Sequence, residues 1–197
     1  MLKQLSNQKG FTLVEMVISI AIISIISAVT FSGLNESSEF FALRDATRQT
    51  ADLYRKAQSF AINVRADQLS DYSGRYGVFS RYYLTESGEQ SEVIFYSDQN
   101  GNDTFDGTYG DCDDECEQRL TFGRGISIVE INQTDTTDFT QGSDNSDILF
   151  IRPNVDAIIK TGPSDPPAKQ VEIVLENRLG QRESVIIGAT GYIFSTE

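Results

Sequence analysis

The chain has 197 residues, with 16 Lys and Arg against 29 Asp and Glu, and a net charge of -13. That balance excludes a chain-wide basic footprint for nucleic acid. There is no His, so a Ser-His-Asp triad, a Cys-His pair and any His metal ligand are excluded. Carboxylates alone can catalyse. Here the Asp and Glu cluster in loops and nothing in the sequence positions a pair, so the expectation is a protein that is not an enzyme.

Residues 1–10 read MLKQLSNQKG, a polar segment with positive charges at Lys3 and Lys9. Residues 11–31 then form an apolar run whose one ionisable group is Glu15. About 20 apolar residues in a helix cross a bilayer core. The two Lys are expected to stay on the cytoplasmic side, so the chain emerges outside after residue 31. A secretory signal peptide would be cut after the apolar run, beside small residues, and Ser27-Ala28-Val29 fits that role poorly. Neither that reading nor a plain anchor accounts for Glu15. A carboxylate inside an apolar helix costs roughly 2.5–3.5 kcal/mol on insertion scales, and such groups are usually paired.

The stretch Lys9-Gly10-Phe11-Thr12-Leu13-Val14-Glu15 resembles the processing motif of type IV prepilins and pseudopilins. The resemblance implies cleavage after Gly10 by a prepilin peptidase/methyltransferase and methylation of the new N-terminus at Phe11. It also implies that Glu15 pairs with the N-terminal amine of a neighbouring pilin or pseudopilin subunit. A pair held at low dielectric offsets desolvation only in good geometry, so it sets register more than it adds stability. An uncut leader would place Lys9 where apolar packing belongs, so processing is expected to switch a membrane-stored subunit to an assembly-competent one.

Past the apolar run, Ser32-Gly33 is expected to loosen the helix. An amphipathic helix is expected over residues 32–66. Leu43, Ala46, Thr50, Leu53, Ala57, Phe60 and Val64 recur in steps of three and four on one face. That stripe is expected to pack on the subunit's own sheet. Residues 67–197 read as a β-rich globular domain, with strands over 76–84, 92–96, 119–122, 126–131, 148–152, 157–160, 171–177 and 184–194. Residues 132–147 and 161–169 are polar and read as solvent loops. The fold class is α+β: a long N-terminal transmembrane and amphipathic helix packed on an antiparallel β-sheet domain. The strand pair, the Asp/Asn/Gly loop after its second strand and the C-terminal hairpin ending in Gly191-Tyr192-Ile193-Phe194 are similar to the GspH/FimT-type minor pilins. Some of these bind DNA through basic residues, which the acidic charge here argues against.

Residues 97–114 read SDQNGNDTFDGTYGDCDD. Asp98, Asn100, Asn102 and Asp106 occupy relative positions 1, 3, 5 and 9. That resembles the first part of an EF-hand-type calcium loop, with the Thr104 carbonyl as a further ligand. Position 6 is Asp103 where Gly is wanted, and position 12 is Tyr109 where a bidentate Glu belongs. Asp111, Asp113 or Asp114 are the carboxylates expected to complete the set. The alternative is a turn-rich hairpin tip without metal, since Asn-Gly and Asp-Gly are favourable turns. Cys112 and Cys116 are expected to form a local disulfide in an exported domain. Free thiols are the alternative, and a redox pair would want two intervening residues rather than three.

The functional expectation is a structural subunit, a minor pilin or pseudopilin of a type IV pilus, type II secretion or related filament. It would span the cytoplasmic membrane once before assembly, with its C-terminal domain outside, and enter an extracellular filament or pseudopilus afterwards. The alternative is a membrane-anchored extracellular adhesion or ligand-binding module that uses the same helix as an anchor.

Overall fold

A computed structural model describes residues 10–63, 74–85, 88–107, 115–134, 140–141, 144–151, 156–161 and 167–196. The chain divides into two compact units, Met1–Ser38 and Glu39–Glu197, each taken here by itself. One helix, α1 (Leu13–Asn63), contributes to both. It runs unbroken through Ser32-Gly33, where a loosening is expected from the sequence. A lone helical Gly costs about 1 kcal/mol relative to Ala, which weakens a helix without ending it. The expected helix end at residue 66 lies outside the described residues.

In the first unit, Leu13–Thr30 is long and apolar enough to cross a membrane, with a mean hydropathy of 2.3. Its large apolar side chains, among them Leu13, Val17, Ile20 and Ile23, are more than half exposed. The hydroxyls in this stretch are satisfied within the helix. Ser19, Ser24, Ser27 and Thr30 each donate to the carbonyl four residues back, at 2.8–2.9 Å. Polar groups met internally are what a helix needs in lipid, where no water replaces a missing partner.

The second unit is built on two five-stranded antiparallel sheets. The strands are β1 (Arg75–Thr85), β2 (Gly88–Ser97), β3 (Cys116–Thr121), β4 (Ser127–Thr134), β5 (Thr140–Gln141), β6 (Asn145–Ile151), β7 (Ala157–Lys160), β8 (Gln170–Glu176), β9 (Arg182–Gly188) and β10 (Ile193–Ser195). One sheet has the order β3-β2-β1-β6-β7, the other β10-β9-β8-β4-β5. The helical stripe read from the sequence is buried from Leu43 through Ala46, Thr50 and Leu53 to Ala57. Tyr54 lies beside it, fully buried, with its hydroxyl 2.6 Å from Ser80 Oγ. Phe60 meets Tyr76 and Phe95 edge-on, at ring-centroid distances of 5.7 and 5.3 Å. Val78, Val93 and Phe95 of the first sheet join Ile128, Ile131, Ile173, Val185 and Ile187 of the second in one core with this helical face.

Side chains alternate across a strand, so the opposite face of the first sheet carries Phe79, Ile94, Tyr96, Leu149 and Ile158. These are covered too, in a smaller cluster with Phe105. Glu92 continues that face, buried between the guanidiniums of Arg81 and Arg119. Burial on both sides explains why 94–96 reads as a continuous apolar run rather than an alternating one.

The described polar loops are shorter than expected. β4 extends to Thr134, β5 pairs beside it and β6 opens at Asn145, so three strands enter the stretch read as a 132–147 loop. Ala168 bridges to Ile159 inside the 161–169 stretch. The C-terminal hairpin turns at Gly180, whose φ of 75° suits glycine. There Asn177 Oδ1 accepts from the N–H groups of Leu179 and Gln181, both at 3.0 Å. The expected single strand 184–194 is two, β9 and β10.

Gly77 lies under the Tyr96 ring. A Cβ there would stand 2.5 Å from Tyr96 ring carbons, and Tyr96 is fully buried and hydrogen-bonded to Asp147. Gly77→Ala is therefore expected to destabilise the folded chain by roughly 1–3 kcal/mol, the usual cost of overpacking. The midpoint of urea unfolding, followed by tyrosine fluorescence, checks this; an unchanged midpoint would show that the ring yields freely.

Candidate functional site

The candidate site read from the sequence has two parts. The first is the start of α1. Gly10, Phe11 and Thr12 lie outside the helix and are exposed. Helix hydrogen bonding begins with the Met16 N–H donating to the Thr12 carbonyl, at 3.2 Å. Thr12 is thus the N-cap and Glu15 the third helical residue. Their side chains bond reciprocally. The Glu15 N–H donates to Thr12 Oγ1 at 3.2 Å, while the Thr12 N–H and Oγ1 donate to Glu15 Oε2 at 3.1 and 3.0 Å. This is a capping box, which supplies partners for N–H groups that a helix start leaves without one. The pattern T-x-x-E in front of an apolar run is its sequence signature, one the prepilin-like reading of the same residues passed over.

Residues 5–31 match the family model described as the prokaryotic N-terminal methylation motif. The match spans the leader end, Gly10, Phe11, Glu15 and the apolar run. The methylation motif supports the type IV pilin-like resemblance, and the apolar helix behind it has the length and composition of a membrane anchor. No curated protein and no solved structure matches the chain.

The second part is the loop after β2. Asp98 is fully buried at its start. Its Oδ1 accepts from the Gly101 N–H at 2.7 Å, and its Oδ2 from the Asp103 N–H at 3.1 Å and from Arg75 Nε at 2.9 Å. Arg75 also pairs with Asp103. The amides of Asn100 and Asn102 both donate to Asp106 Oδ2, each at 2.6 Å. Asn102 Oδ1 accepts from both the N–H and the hydroxyl of Thr104 at 3.0 Å. Asn100, Asn102 and Asp106 are thus brought around one point, with Asp98 tied into the same turn. Asp103, where the calcium-loop pattern wants Gly, holds a φ of 66°. That left-handed conformation is the one Gly would supply, and Asp tolerates it better than most residues.

Asp111 and Cys112 lie outside the described residues. Cys116 opens β3 and is not a free thiol. The carboxylate that closes the described loop is Glu115, absent from the sequence expectation. It is buried, and accepts from the Gln99 and Asp106 N–H groups at 3.3 Å. Burial first, then the charges of Asp106 and Asp98, raise its pKa, against those two hydrogen bonds. A fixed twelve-residue count points to Tyr109 and passes over Glu115. Among the described residues, no three Asp, Glu or Cys side chains stand together as a metal cluster. The donors are nonetheless the hard oxygens that suit calcium. Loading would require both Asn amides to turn their oxygens inward.

The loop is fastened to the sheet by Phe105, whose ring packs on Phe79 and Tyr96, and by Asp147. Asp147 Oδ2 accepts from the Phe105 N–H at 2.8 Å and Oδ1 from the Tyr96 hydroxyl at 2.6 Å. Lys160 Nζ reaches the Asp103 carbonyl at 2.9 Å. Burial pushes Asp147 up from 3.8 to about 6, with Tyr96, Phe105 and Lys160 opposing and Asp98 adding to the rise. A carboxyl raised in the fold binds its proton more tightly there than in the unfolded chain. Its contribution to stability is therefore full below pH 3.8 and is lost as pH rises through about 6. The full span is roughly 3 kcal/mol. Asp147→Asn is expected to remove that component. The difference between wild-type and variant urea midpoints, measured in EDTA, should change between pH 4 and pH 7. A constant difference would refute the assignment.

Proposed function

We propose that this chain is a structural filament subunit, a minor pilin or pseudopilin, cut after Gly10 by a prepilin peptidase and methylated on the Phe11 amine. Residues 1–10 are then the leader, 11–31 the membrane and assembly helix, 32–66 its amphipathic continuation and 67–197 the exported domain. The observation that carries this reading is the methylation motif over residues 5–31 with one carboxylate, Glu15, in the following apolar helix. Before assembly the subunit rests in the cytoplasmic membrane. In a filament, the apolar helices replace lipid contacts with one another, and Glu15 meets the Phe11 ammonium of a neighbouring subunit. Breaking such a buried pair from one side costs roughly 3–5 kcal/mol. Glu15→Ala should therefore lower the share of processed subunit in sheared surface filaments by at least about tenfold, with the exported domain still folded. Normal incorporation of that variant, or a mature N-terminus other than Phe11, would defeat the proposal.

The GspH/FimT-type assignment is a proposal as well. It is supported by the β1–β2 pair, the Asp/Asn loop that follows β2 and the closing β8-β9-β10 ladder. We further propose a Cys112–Cys116 disulfide and calcium on the loop, with Asp98, Asn100, Asn102, the Thr104 carbonyl and Asp106 as ligands. Asp111 is kept as an expected closing carboxylate, and Glu115, which accepts from the Asp106 N–H at 3.3 Å, is proposed as a second. A cation there would offset the burial, and the smaller effect of the Asp106 and Asp98 charges, that raise the Glu115 pKa. In millimolar calcium the melting temperature should rise by several degrees, and Asp106→Ala should abolish the rise; no shift in the wild-type chain would rule calcium out.

A further inference from the structure

We infer that Thr12 is a positioning residue for the assembly carboxylate. The inference rests on the filament reading above and concerns how Glu15 is held before and during assembly. Glu15 could stand in an apolar helix in many rotamers, most of them pointing its charge into lipid. In the structure one oxygen, Oε2, accepts from both the N–H and the hydroxyl of Thr12, at 3.1 and 3.0 Å. The side chain is thereby turned back toward the N-terminus of its own helix. That is the end at which cleavage between Gly10 and Phe11 would release an amine. Oε1 accepts no hydrogen bond among the described residues and is left for a cation.

The arrangement has two consequences. A subunit waiting in the membrane keeps its carboxylate partly hydrogen-bonded, which lowers the cost of storing it without a partner. A subunit entering a filament offers a carboxylate already restrained, so less side-chain freedom is lost when the neighbour's ammonium arrives. The same box starts the helix at Leu13 and keeps Gly10 and Phe11 out of it, so the peptide between them stays outside the helix and exposed.

The test uses the full-length chain in cells that contain its processing enzyme and filament machinery. Compared with wild type are Thr12→Val, Thr12→Ser, Glu15→Gln and the Thr12→Val/Glu15→Gln pair. Mass spectrometry of the N-terminus gives the processed fraction, and shearing gives the incorporated share of processed subunit. Val keeps the shape of Thr and removes both the hydroxyl donor and the cap acceptor. Thr12→Val should lower incorporation per processed subunit about fivefold, as for a lost N-cap. Thr12→Ser, which keeps the hydroxyl, should restore it to within about twofold. In the Glu15→Gln background, Thr12→Val should add little, because Thr12 acts through the carboxylate. Independent, multiplying effects would show Thr12 to be a helix cap alone and overturn the inference. So would normal incorporation of Thr12→Val beside a defective Glu15→Gln, which would leave the filament reading intact. Normal incorporation of Glu15→Gln itself would overturn both.

Discussion

A single carboxylate in an apolar helix sets the terms for the N-terminal unit of this protein. Leu13–Thr30 has the length and hydropathy of a membrane span, and every hydroxyl in it is returned to its own backbone. Glu15 is the one group that the helix cannot fully satisfy. Thr12 supplies two hydrogen bonds but no charge. The remaining demand is for a cation, which in the proposed filament is the Phe11 amine of another subunit. Stability in isolation and competence to assemble are thus opposed at this residue. The fold meets the first with a capping box, and the proposed assembly would meet the second.

The second unit solves a different problem. One amphipathic face of α1 fills a core lined by both sheets, which leaves the far face of the first sheet to be covered. The loop after β2 folds back over it, with Phe105 as the apolar plug and Asp147 as the hydrogen-bonded fastening. The polar loop that reads as a metal-binding or turn segment is therefore also a structural lid on Tyr96 and Ile94. Its acidic groups are held close to one another, and Arg75 balances only part of that charge.

The two halves differ in how openly they show themselves in the sequence. Gly10, Phe11, Thr12 and Glu15 are local in the chain, and their meaning lies in their spacing along a helix. The helical stripe Leu43, Ala46, Thr50, Leu53 and Ala57 is equally local, because a period of 3.6 depends on nothing outside the segment. Strands β1, β7 and β8 stand within a residue of their expected bounds, whereas β2 begins four residues earlier than expected. The loop positions 98, 100, 102 and 106 stand out by their spacing alone, whereas Glu115, which meets the Asp106 N–H, lies outside any such count.

By itself the sequence determined the long apolar helix, the motif at its start, the buried helical face and the α+β class, since each follows from periodicity or from contacts within a few residues. Only the tertiary structure decided that the strands form two sheets, that β5 and β10 add to the second, and that Arg75, Glu115 and Asp147 surround the acidic loop. These depend on pairings between residues tens of positions apart, such as Phe105 with Asp147 and Arg75 with Asp98. No local pattern encodes which distant strand will supply the partner, because that choice is made by the packing of the whole core.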